Sequence, residues 1–129
     1  LILLQVSPLA YCHCNKAELQ VLLANLIGNA LKYSDGIPKI QVIFTRPEPD
    51  WVEGVVIDKG IGISREMQPH IFDLFKQGDS DRGGAGIGLA TCKKIIDRYD
   101  GSIKVASRPG LGSTFRFRMP ACTDPEHDH

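Results

Sequence analysis

The sequence predicts an α/β sandwich, in which helices pack on one face of a β-sheet. Two long segments, 15–33 and 87–99, carry apolar residues at helical spacing. The final segments 102–107 and 113–119 alternate in polarity on either side of a Gly-rich turn, which is typical of an antiparallel hairpin. A chain of 129 residues that is 43% hydrophobic is long enough to bury one core between these two layers.

The first part of the chain predicts strands followed by a helix. The segments "LILLQV" (1–6) and "AYCHC" (10–14) read as short strands. Asn15 is the expected N-cap of the first helix, because Glu18 follows three residues later in a capping-box pattern. The helix is expected to stop at the polar residues 34–36.

The middle of the chain predicts two strands, then short helices and a loop. We expect strands at "KIQVIF" (39–44) and "WVEGVVID" (51–58), with "TRPEPD" (45–50) as their connection. The segment "REMQPHIFDLF" (65–75) predicts one or two short helices interrupted by a proline. The Gly-rich and polar "KQGDSDRGGAG" (76–86) predicts a loop.

The last part of the chain sets the expected domain limits. The second long helix should end at Asp100 and Gly101, with Gly101 as its C-cap. The hairpin that follows completes a single domain over residues 1–120. Residues 121–129, "ACTDPEHDH", show no packing pattern and are expected to form a flexible tail.

The composition argues against several classes of partner. Lys+Arg 15 balances Asp+Glu 15, so no overall field favours nucleic acid or an anionic membrane. No apolar run is long enough to span a bilayer, and we expect no direct membrane contact by this domain. A zinc site at Cys12-His13-Cys14 is disfavoured, because the sequence has no second close cysteine pair. We expect reduced thiols in a cytoplasmic domain. This expectation is compatible with a membrane-anchored parent protein.

Four polar side chains share one sector of the first helix, beside its apolar face. At about 100° per residue this sector is expected to form the rim of a groove. Amide oxygens are suited to Mg²⁺, a lysine meets phosphates, and a tyrosine covers a flat base. The alternative is an ordinary solvated helix face. The four residues are Asn25, Asn29, Lys32 and Tyr33.

Two glycine loops favour a nucleotide site over a solvated face. Asp58 ends a strand and could accept from an exocyclic amine, while Gly60 and Gly62 would let a flat ring approach the backbone. Gly86 and Gly88 open the second long helix, whose N-terminal N–H groups and dipole favour phosphates. No βαβ unit surrounds the second loop and no Lys-Ser/Thr follows it, which excludes a Rossmann site and a P-loop.

Taken together and in this order, these motifs resemble the catalytic, ATP-binding domain of sensor histidine kinases. The resemblance implies the Bergerat fold, a mixed and mostly antiparallel sheet with helices on one face, and it implies ATP and Mg²⁺ as cofactors. It also covers the ending "SRPGLGSTFRFRMP". The four boxes that carry it are "NLIGNALKYS", "DKGIGIS", "HIFDLFKQG" and "GGAGIGLATCKKI".

The resemblance also implies roles for individual residues. Asn25 and Asn29 would hold Mg²⁺. Asn25, Lys32 and Arg82 would be the catalytic residues. The nucleotide would be bound by Asn29, Tyr33, Asp58, Gly60, Gly62, Ile63, Phe75, Gly84, Gly86, Ile87, Gly88, Leu89 and Thr114, with Thr114 near the base.

Other features of the resemblance concern a lid and the acceptor of the phosphoryl group. Phe72 and Phe75 would anchor a lid over about residues 76–84, which is shorter than usual and carries Gln77 where the family often has arginine. Hydrolytic relatives have a glutamate in place of Asn25 to activate water, so transfer to a histidine is favoured.

None of the four histidines, His13, His70, His127 and His129, resembles the family's acceptor. The resemblance therefore implies an acceptor histidine on a dimerisation domain upstream of Leu1, and a response regulator receiver domain as the downstream partner. Two alternatives stay open: a nucleotide-binding regulatory module without phosphotransfer, and a protein serine kinase of the anti-sigma-factor type.

Overall fold

The computed structural model describes residues 2–6, 14–34, 36–72 and 85–121, with 2–6 and 85–87 described by their backbone. These residues form five strands, two α-helices and one 3-10 turn. In chain order the elements are β1 (Ile2–Val6), α1 (Lys16–Lys32), β2 (Ile40–Glu48), β3 (Trp51–Asp58), the 3-10 turn Gln68–His70, α2 (Ala85–Arg98), β4 (Ser102–Arg108) and β5 (Gly112–Pro120).

The strands form one sheet in the order β1-β2-β3-β5-β4. The β1–β2 pair is parallel, and the β2–β3, β3–β5 and β4–β5 pairs are antiparallel. Both helices contribute buried apolar side chains to a single core with one face of this sheet. The predicted fold class, a mixed and mostly antiparallel sheet with helices on one face, is confirmed.

Alternation along the strands decides which side chains face the helices. Phe44 of β2 and Phe117 of β5 point into the core and meet edge to face, with ring centroids 5.9 Å apart. Gly54 of β3 lies against the Phe117 ring, where an added Cβ would come within 2.3 Å of a ring carbon. The helix layer therefore rests on a continuous apolar face, and the polar site residues lie around its ends.

Helix α1 begins at the predicted N-cap, but the capping box closes in an unexpected way. The Asn15 side chain accepts from the backbone N–H groups of Ala17 (2.8 Å) and Glu18 (3.3 Å). The Asn15 backbone N–H donates to the Tyr99 hydroxyl (3.0 Å), and this hydroxyl donates to the Glu18 carboxylate. The box is thus completed by a tyrosine that follows α2, which ties the start of α1 to the end of α2.

The end of α2 corrects the expected C-cap. Asp100, rather than Gly101, takes the left-handed conformation, with φ 58°. The Asp100 N–H donates to the Asp97 carbonyl (3.1 Å) and the Gly101 N–H to the Ile96 carbonyl (2.9 Å), which is the Schellman pattern. Glycine is still needed at 101, because a Cβ there would lie 2.2 Å from the carbonyl oxygen of Arg118.

Several element limits differ from the sequence-based predictions. Strand β2 continues through residues expected to form the connection and ends at Glu48, so the turn is the short Pro49-Asp50. Helix α2 begins at Ala85, two residues earlier than predicted. Within the described part of 65–75 there is one 3-10 turn.

Other predictions fall partly or wholly outside the described residues. These are the second strand, of which Cys14 alone is described and forms a bend, the loop at 76–84, and the tail beyond Ala121. The Ala121 N–H donates to the Asp50 carbonyl (2.9 Å). Among the described helices, none combines the length and apolar character needed to cross a membrane.

Candidate functional site

A cleft lies between the middle of α1 and the first turns of α2. Its volume is about 150 Å³. It brings together residues that the sequence predicted from two separate motifs, the polar stripe of the first helix and the second glycine loop. The described lining consists of Ala24, Asn25, Gly28, Asn29, Lys32, Gly88 and Leu89.

Helical spacing places the polar stripe in this cleft. Asn25, Asn29 and Lys32 follow each other at four and three residues, so they lie on one side of α1 beside its buried apolar face. Across the cleft, a Cβ added to Gly88 would lie 3.1 Å from the Asn25 side-chain oxygen. The glycine therefore allows α2 to approach the asparagine closely.

The side-chain oxygen of Asn29 is buried and has no hydrogen-bond partner among the described residues. Buried polar atoms are nearly always paired, because an unpaired one retains its desolvation cost. An amide oxygen in a cleft beside a second asparagine is a donor set that Mg²⁺ accepts. The residues present fit a hard divalent cation.

The second part of the site lies at the end of β3. Asp58 is 7% exposed, and its carboxylate accepts from the Gly60 N–H at 2.9 Å and from the backbone N–H of Ser113. Burial raises the pKa of Asp58 above its ordinary value of 3.8, and the two backbone hydrogen bonds oppose this shift. Asp58 is a buried acceptor held in a fixed orientation by backbone donors.

The first glycine loop joins this carboxylate to the end of α1. The Ile61 N–H donates to the Tyr33 carbonyl (3.0 Å), and a Cβ added to Gly60 would lie 2.2 Å from that oxygen. Gly62 has φ +77°, and a Cβ there would lie 2.1 Å from the Arg108 carbonyl oxygen. The loop is therefore held between the end of α1 and the β4–β5 hairpin.

The strand register assigns the hydroxyl beside Asp58 to a residue that the sequence-based prediction missed. Ser113 pairs directly with Asp58, whereas Thr114 pairs with Ile57 and so lies on the opposite face of the sheet. Ser113 is 7% exposed. Thr114 nonetheless lines one cavity with Asp58 and Ser113, and its place near the base stays a prediction. The signal for Ser113 was available, because Phe115 and Phe117 are inward-facing and share their face with Ser113.

Some of the remaining predicted residues are described with their side chains, others by their backbone alone, and the rest lie outside the described residues. Leu89 is buried in the core and lines the cleft, Ile63 packs partly against the core, and the Lys32 ammonium lies 6.0 Å from the centre of the Tyr33 ring. Gly86 and Ile87 belong to the first turn of α2 by their backbone. Phe75, Arg82 and Gly84 lie outside the described residues.

Phe72, expected to anchor a lid, packs edge to face on Phe115 with ring centroids 6.2 Å apart. The predicted thiols can be described in part. Cys14 and Cys92 carry no disulfide, and burial raises the pKa of Cys92 to about 12. Cys12 and Cys122 lie outside the described residues.

The family model of histidine kinase-, DNA gyrase B- and HSP90-like ATPases matches residues 14–123. This chain belongs to that ATP-binding family. Among curated proteins it is 41% identical over 110 residues to the sensor-like histidine kinase SenX3 of Mycobacterium tuberculosis, covering 82% of this chain and 27% of that protein. It is 38% identical over 120 residues to the phytochrome-like protein Cph1 of Synechocystis, covering 91% of this chain and 16% of that protein.

Solved structures agree with these relationships. Full-length ShkA in complex with AMPPNP matches with a TM-score of 0.83 and 29% identity, covering 95% of this chain and 26% of that one. The catalytic domain of the histidine kinase ThkA matches with a TM-score of 0.78 and 26% identity, covering 93% and 79%. The resemblance to the ATPase domains of sensor histidine kinases is confirmed. The chain spans about a quarter or less of the length of the curated relatives described above.

Proposed function

We propose that this domain binds Mg-ATP and presents its γ-phosphoryl group to a histidine on a dimerisation domain. The observation that carries the proposal is the buried oxygen of Asn29, which has no partner in the described part of the chain and lies in a cleft with Asn25 and Lys32. A site that leaves such an atom without a partner is built for a ligand that supplies one.

The base of the nucleotide is proposed to lie against Asp58 and Ser113. Adenine offers an exocyclic amine, and a buried carboxylate held by two backbone N–H groups is a preorganised acceptor for it. Gly60 and Gly62 let this loop pack closely on the carbonyl oxygens of Tyr33 and Arg108, which fixes the backbone beside the proposed base. Tyr33 and Ile63 adjoin the loop. These are the residues proposed to select the base.

The phosphates are proposed to lie between α1 and the start of α2. Asn25 and Asn29 would hold Mg²⁺, which when bound neutralises charge on the phosphate oxygens. Lys32 adds a cation at the cleft rim. The first turn of α2, with Gly86 and Ile87, offers backbone N–H groups and the positive end of its dipole, and Gly88 and Leu89 line the cleft beside it. Phe75, Arg82 and Gly84 are proposed to complete this end.

The lining of the cleft favours transfer to a histidine over hydrolysis. A hydrolase needs a general base that can take a proton from water. The described lining contains two asparagines and a lysine but no carboxylate. An imidazole is itself a nucleophile and does not need such a base, so a histidine brought by another domain is the better acceptor.

We further propose that the parent protein works in the cytoplasm and that a response regulator receiver domain takes the phosphoryl group from the acceptor histidine. The second candidate is a nucleotide-gated regulatory module without phosphotransfer. The short lid with Gln77 in place of the usual arginine favours it, because fewer cations would face the developing charge. The two candidates share the binding site and differ in the chemistry.

Calorimetry with ADP and a non-hydrolysable ATP analogue, with and without Mg²⁺, tests the binding site. Asp58→Asn is expected to weaken nucleotide binding by about 1–3 kcal/mol, since it removes a charged acceptor. Asp50→Asn, in the exposed β2–β3 turn, is the matched control and should leave the affinity unchanged. Equal affinity of both variants and the wild type would contradict the base assignment.

Phosphotransfer is tested with labelled ATP and the parent protein's own dimerisation domain. Acid-labile label on that domain, absent when its acceptor histidine is replaced by alanine, is the expected result. Nucleotide binding without any label would favour the nucleotide-gated module.

A further inference from the structure

We propose that Ser107 is a positioning residue that favours adenine over 6-oxopurines by fixing the direction of the Ser113 hydroxyl proton. The inference rests on the proposed placement of a base beside Asp58 and Ser113. It adds a residue of the neighbouring strand β4 that would lie behind the pocket. Ser107 is half-buried on the inward face of β4 and pairs with Ser113 across the hairpin.

Three groups surround the Ser107 hydroxyl. It accepts from the Ile63 N–H at 2.8 Å, it lies 2.9 Å from the Gly112 carbonyl oxygen, and it lies 2.8 Å from the Ser113 hydroxyl. All three partners belong to segments that line the proposed base pocket. One small side chain therefore links the first glycine loop to the β4–β5 hairpin.

Counting protons leaves one arrangement that satisfies all three contacts. A hydroxyl has one proton to donate and two lone pairs that accept. If Ser107 donates to the Gly112 carbonyl, one lone pair takes the Ile63 N–H and the other takes the proton of Ser113. If Ser107 donated to Ser113 instead, its contact with the Gly112 carbonyl would carry no hydrogen. The first arrangement is therefore favoured, and it makes Ser113 a donor to Ser107.

The backbone around Ser107 is held so that this arrangement persists. The Gln68 side-chain amide donates to the Ile63 carbonyl and to the Ser107 carbonyl, each at 2.9 Å. One amide thus holds the backbone of both residues that form the Ile63–Ser107 hydrogen bond. Gln68 thereby keeps the Ser107 hydroxyl oxygen in place, whichever base occupies the pocket.

The consequence for the base follows from hydrogen-bond polarity. With its proton committed to Ser107, Ser113 shows lone pairs to the pocket, and the neighbouring Asp58 carboxylate also accepts. The 6-amino group of adenine has two protons to offer. The 6-oxo group of hypoxanthine would place an acceptor against acceptors, which is unfavourable when buried. Without Ser107, the Ser113 hydroxyl can turn and donate to that oxo group.

The test compares ADP with inosine diphosphate, which differ at position 6 and in the proton on N1. Wild type is expected to prefer ADP, and Ser107→Ala should reduce the ADP-to-inosine-diphosphate affinity ratio by roughly fivefold, the value of about one hydrogen bond. Ser107→Thr keeps the hydroxyl and should restore the ratio. Ser102→Ala, on the exposed face of the same strand, should match wild type.

A double-mutant cycle separates positioning from packing. In a Ser113→Ala background, Ser107→Ala should leave the ratio unchanged, because no hydroxyl remains to be oriented. An equal loss of affinity for both nucleotides in Ser107→Ala, with a lower melting temperature and no change in the ratio, would overturn the inference while leaving the nucleotide site intact. Failure of wild type to bind either nucleotide would instead overturn the proposed function and the inference together.

Discussion

Two buried oxygen acceptors at opposite ends of the site are treated differently by the fold. The Asp58 carboxylate receives two backbone N–H groups, whereas the Asn29 amide oxygen has no partner among the described residues. Both lie near glycines, and each lines a cavity. The end at Asp58 is therefore complete without a ligand, and the end at Asn29 is not.

Under the proposed function, this difference suits two parts of one nucleotide. A flat base needs a rigid surface whose donors and acceptors are already oriented, because reorientation would reduce selectivity. A hydrated cation with phosphates brings its own ligands and charge, so the protein keeps oxygen atoms available to it. On this proposal, rigidity is concentrated at the base end around Asp58, and open coordination capacity at the metal end around Asn29.

The largest expected effect on stability comes from Gly62→Ala at the base end, and Gly28→Ala at the metal end provides the comparison. Gly62→Ala should lower the free energy of unfolding by about 3 kcal/mol or more, because φ is +77° and the new Cβ would lie 2.1 Å from the Arg108 carbonyl oxygen. Gly28→Ala, at the metal end, meets nothing within 4 Å and should raise it by roughly 0.5–1 kcal/mol through helix propensity.

Chemical denaturation of the two variants beside wild type measures this contrast. A Gly62→Ala domain as stable as wild type would mean that the loop can move away from the hairpin. The base end would then lack the rigidity inferred here.

An intermediate effect distinguishes two asparagines of the same helix. Asn15→Ala removes the acceptor for two backbone N–H groups and should cost about 1 kcal/mol. Asn29→Ala removes an unpartnered buried oxygen and improves helix propensity, so stability should stay equal or rise by up to about 1 kcal/mol.

The same Asn29→Ala variant should lose most of the Mg²⁺ dependence of nucleotide binding. Denaturation without ligand and calorimetry at two Mg²⁺ concentrations provide both readouts. Destabilisation of the Asn29→Ala domain comparable with that of Asn15→Ala would show that Asn29 has a structural partner, and would remove the basis of the metal assignment.

Sequence reasoning succeeded where the relevant interactions are local. The Asn15 cap, the helical stripe Asn25–Asn29–Lys32 and the glycines before and within turns are set by residues a few positions apart. It failed where a partner comes from a distant strand or helix. Tyr99 in the capping box is 84 residues from Asn15, and the Ser107 link to Ile63 spans 44 residues.

The omission of Ser113 was a different kind of failure. Strand alternation was readable, but the hydroxyl named in this strand, that of Thr114, came from the resemblance and not from the face on which it lies. Period-2 alternation from Phe115 would have placed Ser113 inward, beside Asp58.

The smallest expected effect concerns pH, to which nucleotide binding and folding stability should respond in opposite directions at the base end. Burial raises the pKa of Asp58 above 3.8, so between 3.8 and that raised pKa the folded protein binds more protons than the unfolded chain. Asp58 therefore favours folding most at low pH, and this contribution is lost as the pH rises through its folded pKa. Nucleotide binding should show the opposite trend, because the proposed amine contact needs the carboxylate.

We accordingly expect the ADP affinity advantage of wild type over Asp58→Asn to narrow as the pH falls from 7 towards 4.5. Over the same range the free energy of unfolding of the wild type should increase relative to that of Asp58→Asn by roughly 1 kcal/mol or less. Referring each measurement to the variant cancels the titration of the phosphates and of the other carboxylates. An affinity difference that stays constant down to pH 4.5, together with unchanged relative stability, would show that Asp58 does not titrate in this range. Its burial would then be fully compensated by the Gly60 and Ser113 N–H groups, and the base end would be even more completely prepared than the structure indicates.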